Sequence, residues 1–231
     1  MNLGNTTWFQ RMVGGVAMIV APIVFVIAEL LHGHFERDAA RQLDVIALNT
    51  GRWYAAHILV LVGLMLALPA FVGLAHLVRQ GRPALANLGQ VLLVPGTIAL
   101  AALVGMELVA WQMAQSGVDR AEMVLLWENT AENAGIAPLV LAAVLFPVAW
   151  LLLGLALFLA RLAPTWSAAL VGLAQLVGFV GELSGGPKWL AVAAQVAFGI
   201  GLIPLGIRVL KQQDADWAAS ELGGDIPGAP A

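Results

Sequence analysis

Long uninterrupted apolar stretches alternate with short polar connections along this chain. Six stretches stand out, at residues 12–31, 53–78, 91–111, 136–160, 167–183 and 189–207. Crossing a hydrocarbon core takes about 20 helical residues, which these stretches reach or approach. The fifth is the shortest and is flanked by Trp166. An unpaired backbone group in lipid costs several kcal/mol, so each stretch is expected to be helical. The in–out alternation of a membrane β-barrel is absent. The pattern therefore predicts an all-α integral membrane protein with six transmembrane helices. Prolines 22, 69, 95, 147 and 204 fall inside the spans, where they are expected to kink helices without ending them. The first stretch is of full spanning length and lacks a small-x-small cleavage pattern, so it reads as a mature helix and not a signal peptide.

Two connections carry a pattern of their own. Residues 37–49 and 119–133 alternate polar and apolar positions at helical spacing, with Leu43, Ile46 and Ala47 on one face and Met123, Leu126 and Trp127 on another. Each predicts a short amphipathic helix resting on headgroups or capping the bundle. The residues from 212 to 231, ending Gly-Gly-Asp-Ile-Pro-Gly-Ala-Pro-Ala, read as a disordered tail behind a transmembrane domain of residues 1–211. With both termini inside, the inner segments hold Arg11, Arg79, Arg82, Arg161, Arg208 and Lys211, against Arg37, Arg41, Arg52, Arg120 and Lys188 outside. That small excess, with short inner connections and acid-rich outer ones, favours a plasma-membrane protein with cytoplasmic termini and tail.

Composition agrees with the pattern. The 231 residues are 61% hydrophobic and 11% charged, with mean hydropathy +0.89, whereas an ordinary soluble domain is about 25% charged. The partner is therefore a lipid bilayer. A net charge of −3 without a basic stripe argues against nucleic acid. The absence of cysteine removes disulfides, thiolate metal sites and thiol nucleophiles.

Three of the odd-numbered stretches end alike. Glu29, Glu107 and Glu182 are the only charged residues within apolar runs, each near the outer end of its span. Glu29 and Glu107 lie 78 residues apart, as do Pro69 and Pro147 in the following spans. The chain thus reads as three tandem helical hairpins, residues 12–78, 91–160 and 167–207, the third without an outer connector. Units of this kind often place function where they meet.

At 1.5 Å per residue, the three carboxylates lie within roughly the outer 6 Å of their spans. His57 enters the second span at the same level, and His32 follows Glu29 by three positions on one helical face. Glu29, His57, Glu107 and Glu182 are therefore the candidate ligand- or proton-binding residues. Carboxylates kept at membrane depth are costly and often functional, although Glu182, nearest its span end, also reads as an interface anchor. His32 with Glu29, His57 and Glu107 offers nitrogen and oxygen ligands for a divalent metal, and His32 and His57 could ligate haem if they face one another across a pocket. His32 and His34 read otherwise as interfacial hydrogen-bonders, His76 as an inner-headgroup residue, and Gln175 and Gln195 as interhelical hydrogen-bonding partners. Trp8, Trp53, Trp111, Trp166 and Trp189 fit an aromatic belt.

No P-loop, dinucleotide fingerprint, Gly-x-Ser-x-Gly or His-Glu-x-x-His motif is present, so an enzyme is the less favoured class. No cofactor is specified. The leading expectation is a protein that binds or transports a small cation or proton-coupled solute. The alternatives are a membrane-embedded metal or haem enzyme, and a non-catalytic component that binds a partner protein. Six short-looped spans are few to enclose a pathway, which points to a homodimer.

Overall fold

The computed structural model describes residues 6–115, 117, 119–131 and 134–219. The elements are α1 (Thr6–Leu31), α2 (Ala39–Leu48), α3 (Thr50–Arg79), α4 (Pro83–Met113), α5 (Arg120–Ala131), α6 (Ala137–Ala143), α7 (Leu145–Leu159), α8 (Thr165–Leu183), α9 (Lys188–Lys211) and α10 (Asp214–Ala219). A single 3₁₀ turn (Ala134–Ile136) precedes α6. No strand occurs among the described residues. Six helical segments, with α6 and α7 together forming the fourth, are long and apolar enough to cross a membrane. The protein is an all-α, multi-pass membrane protein.

The spans form a closed ring in chain order. Each packs on the next, α1 on α3, α3 on α4, α4 on α7, α7 on α8 and α8 on α9, and α9 returns to α1. Lipid tails are as apolar as the helices, so close packing must hold such a ring together. At the α7–α8 contact a Cβ on Gly154 would lie 2.5 Å from the Gly172 Cα, so only glycine permits this approach. The ring centre is filled by aromatic side chains. Trp150 meets Phe71 edge-on at 5.1 Å and Phe198 edge-on at 4.8 Å, all three fully buried. Edge-to-face pairs of this kind add about 0.5–1.5 kcal/mol each beyond burial.

The fourth span is locally irregular. Pro147 has no N–H to donate to the carbonyl four residues earlier, and its ring crowds that carbonyl. The regular helical pattern is interrupted at Val144 alone, which keeps helical backbone angles, so α6 and α7 run on as one span. As the sequence pattern predicts, the proline does not end the span. The irregular turn presses on α4 at Gly96, where a Cβ would stand 2.3 Å from the Phe146 nitrogen. α7 packs on both α4 and α8, whereas α6 leans on α4.

At the end carrying the termini, the structure departs from a disordered tail beginning at 212. Residues 214–219 form α10, which packs beneath α1, while residues 220–231 lie outside the described residues. Trp217 is buried and stacks on His76 at 4.0 Å with 16° between the rings, and the His76 Nε2–H donates to the Trp217 carbonyl at 3.0 Å. His76 is therefore a buried docking residue and not a headgroup contact. Arg11 is buried too. It pairs with Asp214 at 2.9 Å and donates to the carbonyls of Val209 and Leu210 at 3.3 and 2.8 Å, satisfying the last turn of α9.

At the opposite end α2 and α5 cap the bundle. Leu43 and Ile46 of α2 and Trp127 of α5 join Trp53, Ala110 and Met113 in a small second core. The expected faces are only partly realised, because Ala47 and Leu126 are exposed. Arg120 ties the caps together through Asp44 and the Ala40 carbonyl.

Candidate functional site

The capped end gathers the ionisable residues. α1 ends at Leu31, and its last carbonyls are closed by Arg52, whose guanidinium donates to Leu31 and Leu30 at 2.7 and 2.9 Å. The chain then turns through His32, Gly33 and His34. A tight turn at residues 184–187 joins α8 to α9. Gly185 adopts φ of +69°, which favours glycine, and the Gly186 N–H returns to the Gly181 carbonyl at 2.8 Å. This turn sets Glu182 near the end of α8 and Lys188 at the start of α9. Arg37 clasps it by donating to the Ser184 carbonyl at 3.1 Å.

Glu29 is occupied. Its carboxylate receives the Lys188 ammonium at 3.0 Å, with both side chains mostly shielded. Sequence reasoning used Lys188 only for orientation. Its place at the start of the sixth span, level with Glu29, was the available signal. The pairing turns Glu29 from a candidate acceptor into half of an ion pair.

His32, Trp53 and His57 form a compact ring cluster. The centroids lie 5.0 Å apart for His32–Trp53, 4.8 Å for His32–His57 and 4.6 Å for Trp53–His57. The His32 Nδ1–H donates to the Gly33 carbonyl at 2.8 Å and the His57 Nδ1–H to the Trp53 carbonyl at 2.7 Å. Carbonyls only accept, so both imidazoles present Nε2 as their acceptor nitrogen. Burial pushes His32 down to about 4; the Lys188 and Arg52 cations lower it further, against the opposing hydrogen bond to Gly33. Trp53 is buried, and its indole N–H donates to the Glu107 carbonyl at 3.2 Å. It belongs to the site and not to an aromatic belt, unlike the exposed Trp166 and Trp189.

Glu107 and Glu182 line one cleft of about 360 Å³, bounded by His32 and Phe35 from the loop after α1, Leu103 and Met106 of α4, Trp127 of α5, Ile136, Val140 of α6 and Leu183 of α8. The start of the fourth span, at Ile136 and Val140, lines the cleft. Glu107 Oε2 is sealed from solvent and has no hydrogen-bond partner. A buried acceptor left unmade costs about 1–3 kcal/mol. A second cleft of about 390 Å³, lined by Glu29, Arg52, Trp53 and Lys188, meets the first at His32.

Sequence depth thus places all five candidates at one end, but the structure divides their roles. Glu29 is ion-paired, the His32 and His57 rings meet at a tilt of 44°, and Glu107 and Glu182 share a cleft. Among the described residues no three histidine, aspartate or glutamate side chains come together as a metal-binding group. The His32 and His57 rings lie against one another, whereas two axial haem ligands meet end-on across iron. Gln175 donates to Gln195 at 3.0 Å between α8 and α9, away from the cleft. Neither a family model nor a curated protein nor a solved structure matches this chain.

Proposed function

We propose that this is a plasma-membrane protein, with both termini cytoplasmic, that binds a proton or a small cation in the Glu107–Glu182 cleft. The observation that carries the reading is the Glu107 carboxylate, whose Oε2 is buried without a partner beside a second carboxylate in a 360 Å³ cleft. Lys188 is committed to Glu29, so these two carboxylates are left in excess of the nearby cations. A proton or cation relieves both the missing hydrogen bond and the like-charge repulsion. The basic residues near the termini, with short connections between them, support the orientation. Binding is favoured over passage, because the Phe71–Trp150–Phe198 cluster fills the ring interior beyond the cleft. The glutamates at corresponding positions of the first and third spans serve the site differently, one fixing Lys188 and one facing the ligand.

The test is infrared difference spectroscopy of purified protein in nanodiscs during pH and potassium titrations. A protonated-carboxyl band that is lost in Glu107→Gln and altered in Glu182→Gln is expected. A wild-type spectrum without that band, together with no potassium-dependent change in carboxylate bands, overturns the reading.

A further inference from the structure

The walls of the cleft say more about the ligand than its carboxylates do. Hydrated inorganic cations are held by several oxygens, and Ca²⁺ takes six to eight. Here two carboxylates share a predominantly apolar space. Leu103, Met106 and Val140 form its wall, and Trp127, itself buried, presents its indole. Small-molecule sites share this character, an apolar body with a few convergent polar groups. The polar groups here are acceptors: Glu107 Oε2 lacks a donor, and the His32 Nε2 follows from the Nδ1–H bond to Gly33. An acceptor-rich head calls for a ligand that donates hydrogen bonds and carries positive charge, while the walls call for an apolar tail. A nearby aromatic face also favours an organic cation.

We propose that the cleft binds a protonated amine with an apolar body, an alkyl- or arylalkyl-ammonium, with its N–H groups directed to Glu107 and Glu182 and its apolar part along Leu103, Met106 and Val140. This names the ligand class of the site and rests on the cation-binding reading above.

The probe is 2-phenylethylamine, with 2-phenylethanol as its neutral counterpart and trimethyl(2-phenylethyl)ammonium as the cation without N–H. Binding to full-length protein in nanodiscs is measured by calorimetry against empty nanodiscs. A charge-assisted hydrogen bond is worth about 10- to 100-fold in affinity. The amine should therefore bind at least about tenfold more tightly than either counterpart, and Glu107→Gln should abolish that preference. Val140→Trp, which fills the apolar wall, should weaken the amine at least about tenfold. Equal binding of amine, alcohol and trimethylated cation overturns the ligand class. If the Glu107-dependent carboxyl band persists in that case, the cation-binding reading survives alone, and if the band and the potassium response are also absent, both fall. A Glu107→Gln protein that retains the full amine preference likewise overturns the placement.

Discussion

Breaking the Glu29–Lys188 pair from its two sides should have unequal consequences. The atoms stand 3.0 Å apart, with 16% of the Glu29 and 29% of the Lys188 side chain exposed. At an effective dielectric of about 20 this separation gives about 5 kcal/mol of Coulomb attraction before desolvation is subtracted. Fully buried pairs cost about 3–5 kcal/mol when one partner is removed, and exposed pairs rarely exceed about 1 kcal/mol. The partial burial places this pair between those limits, with a coupling of about 1–3 kcal/mol. Lys188→Met leaves the more buried partner without its cation and close enough to Glu182 for the like charges to interact, so it should cost about 2–3 kcal/mol. Glu29→Gln leaves Lys188 with Glu182 as an alternative counter-charge, and should cost only about 1 kcal/mol. The double variant should be less destabilised than the sum of the two. Equilibrium unfolding in mixed micelles, followed by tryptophan fluorescence, gives all three values. Equal single costs that add within about 0.5 kcal/mol would refute the unequal pairing.

Stability should also depend on pH through His32. Its folded value of about 4 lies below the ordinary 6.5, so the unfolded chain binds the proton first as pH falls. The stabilisation is complete above about 6.5 and is lost toward 4, by up to about 3 kcal/mol. The difference between wild type and His32→Gln in unfolding at pH 7.5 and 4.5 isolates this contribution, and parallel losses in the two proteins would exclude it. Gly96→Ala places a Cβ against the Phe146 backbone and should cost at least about 2 kcal/mol, read as a lowered midpoint in the same assay. Trp217→Ala removes the ring stacked on His76; hydrogen exchange should rise by at least about tenfold in residues 212–219 while the α7–α8 contact stays protected.

The spans were legible because apolar length is a property of the sequence alone. The outer-end level of Glu29, Glu107 and Glu182 was legible for the same reason, since rise per residue converts position into depth. Their partners were not. Glu29 meets Lys188, 159 residues later, only because the ring closes α9 onto α1. His76 meets Trp217 across 141 residues, and hydropathy cannot distinguish a polar tail from a six-residue helix anchored by one indole. Pro147 was visible as a proline, but Pro22, Pro69, Pro95 and Pro204 lie within continuous helices. The fourth span alone carries an irregular residue, at Val144, next to its tight contact at Gly96.

Side chains reach across helices to satisfy backbone carbonyls at both ends of the bundle. Near the termini, Arg11 closes carbonyls of α9 and holds α10, Ser167 donates to the Gly201 carbonyl at 2.8 Å, and Arg208 donates to the Leu162 carbonyl at 2.7 Å. Those side chains complete the packing. At the capped end, Arg52 and Lys188 do the same work for α1, yet Glu107 is held without a donor for Oε2 beside a space bounded by hydrocarbon and indole. Replacing Glu107 by leucine should therefore stabilise the protein while abolishing amine binding, since it removes a buried acceptor that folding alone leaves unpaired. A gain of about 1 kcal/mol in mixed-micelle unfolding is expected, and a loss of more than about 1 kcal/mol would show that the carboxylate is structural. A carboxylate oxygen held without a donor beside an open cleft is the physical reason to seek the ligand there.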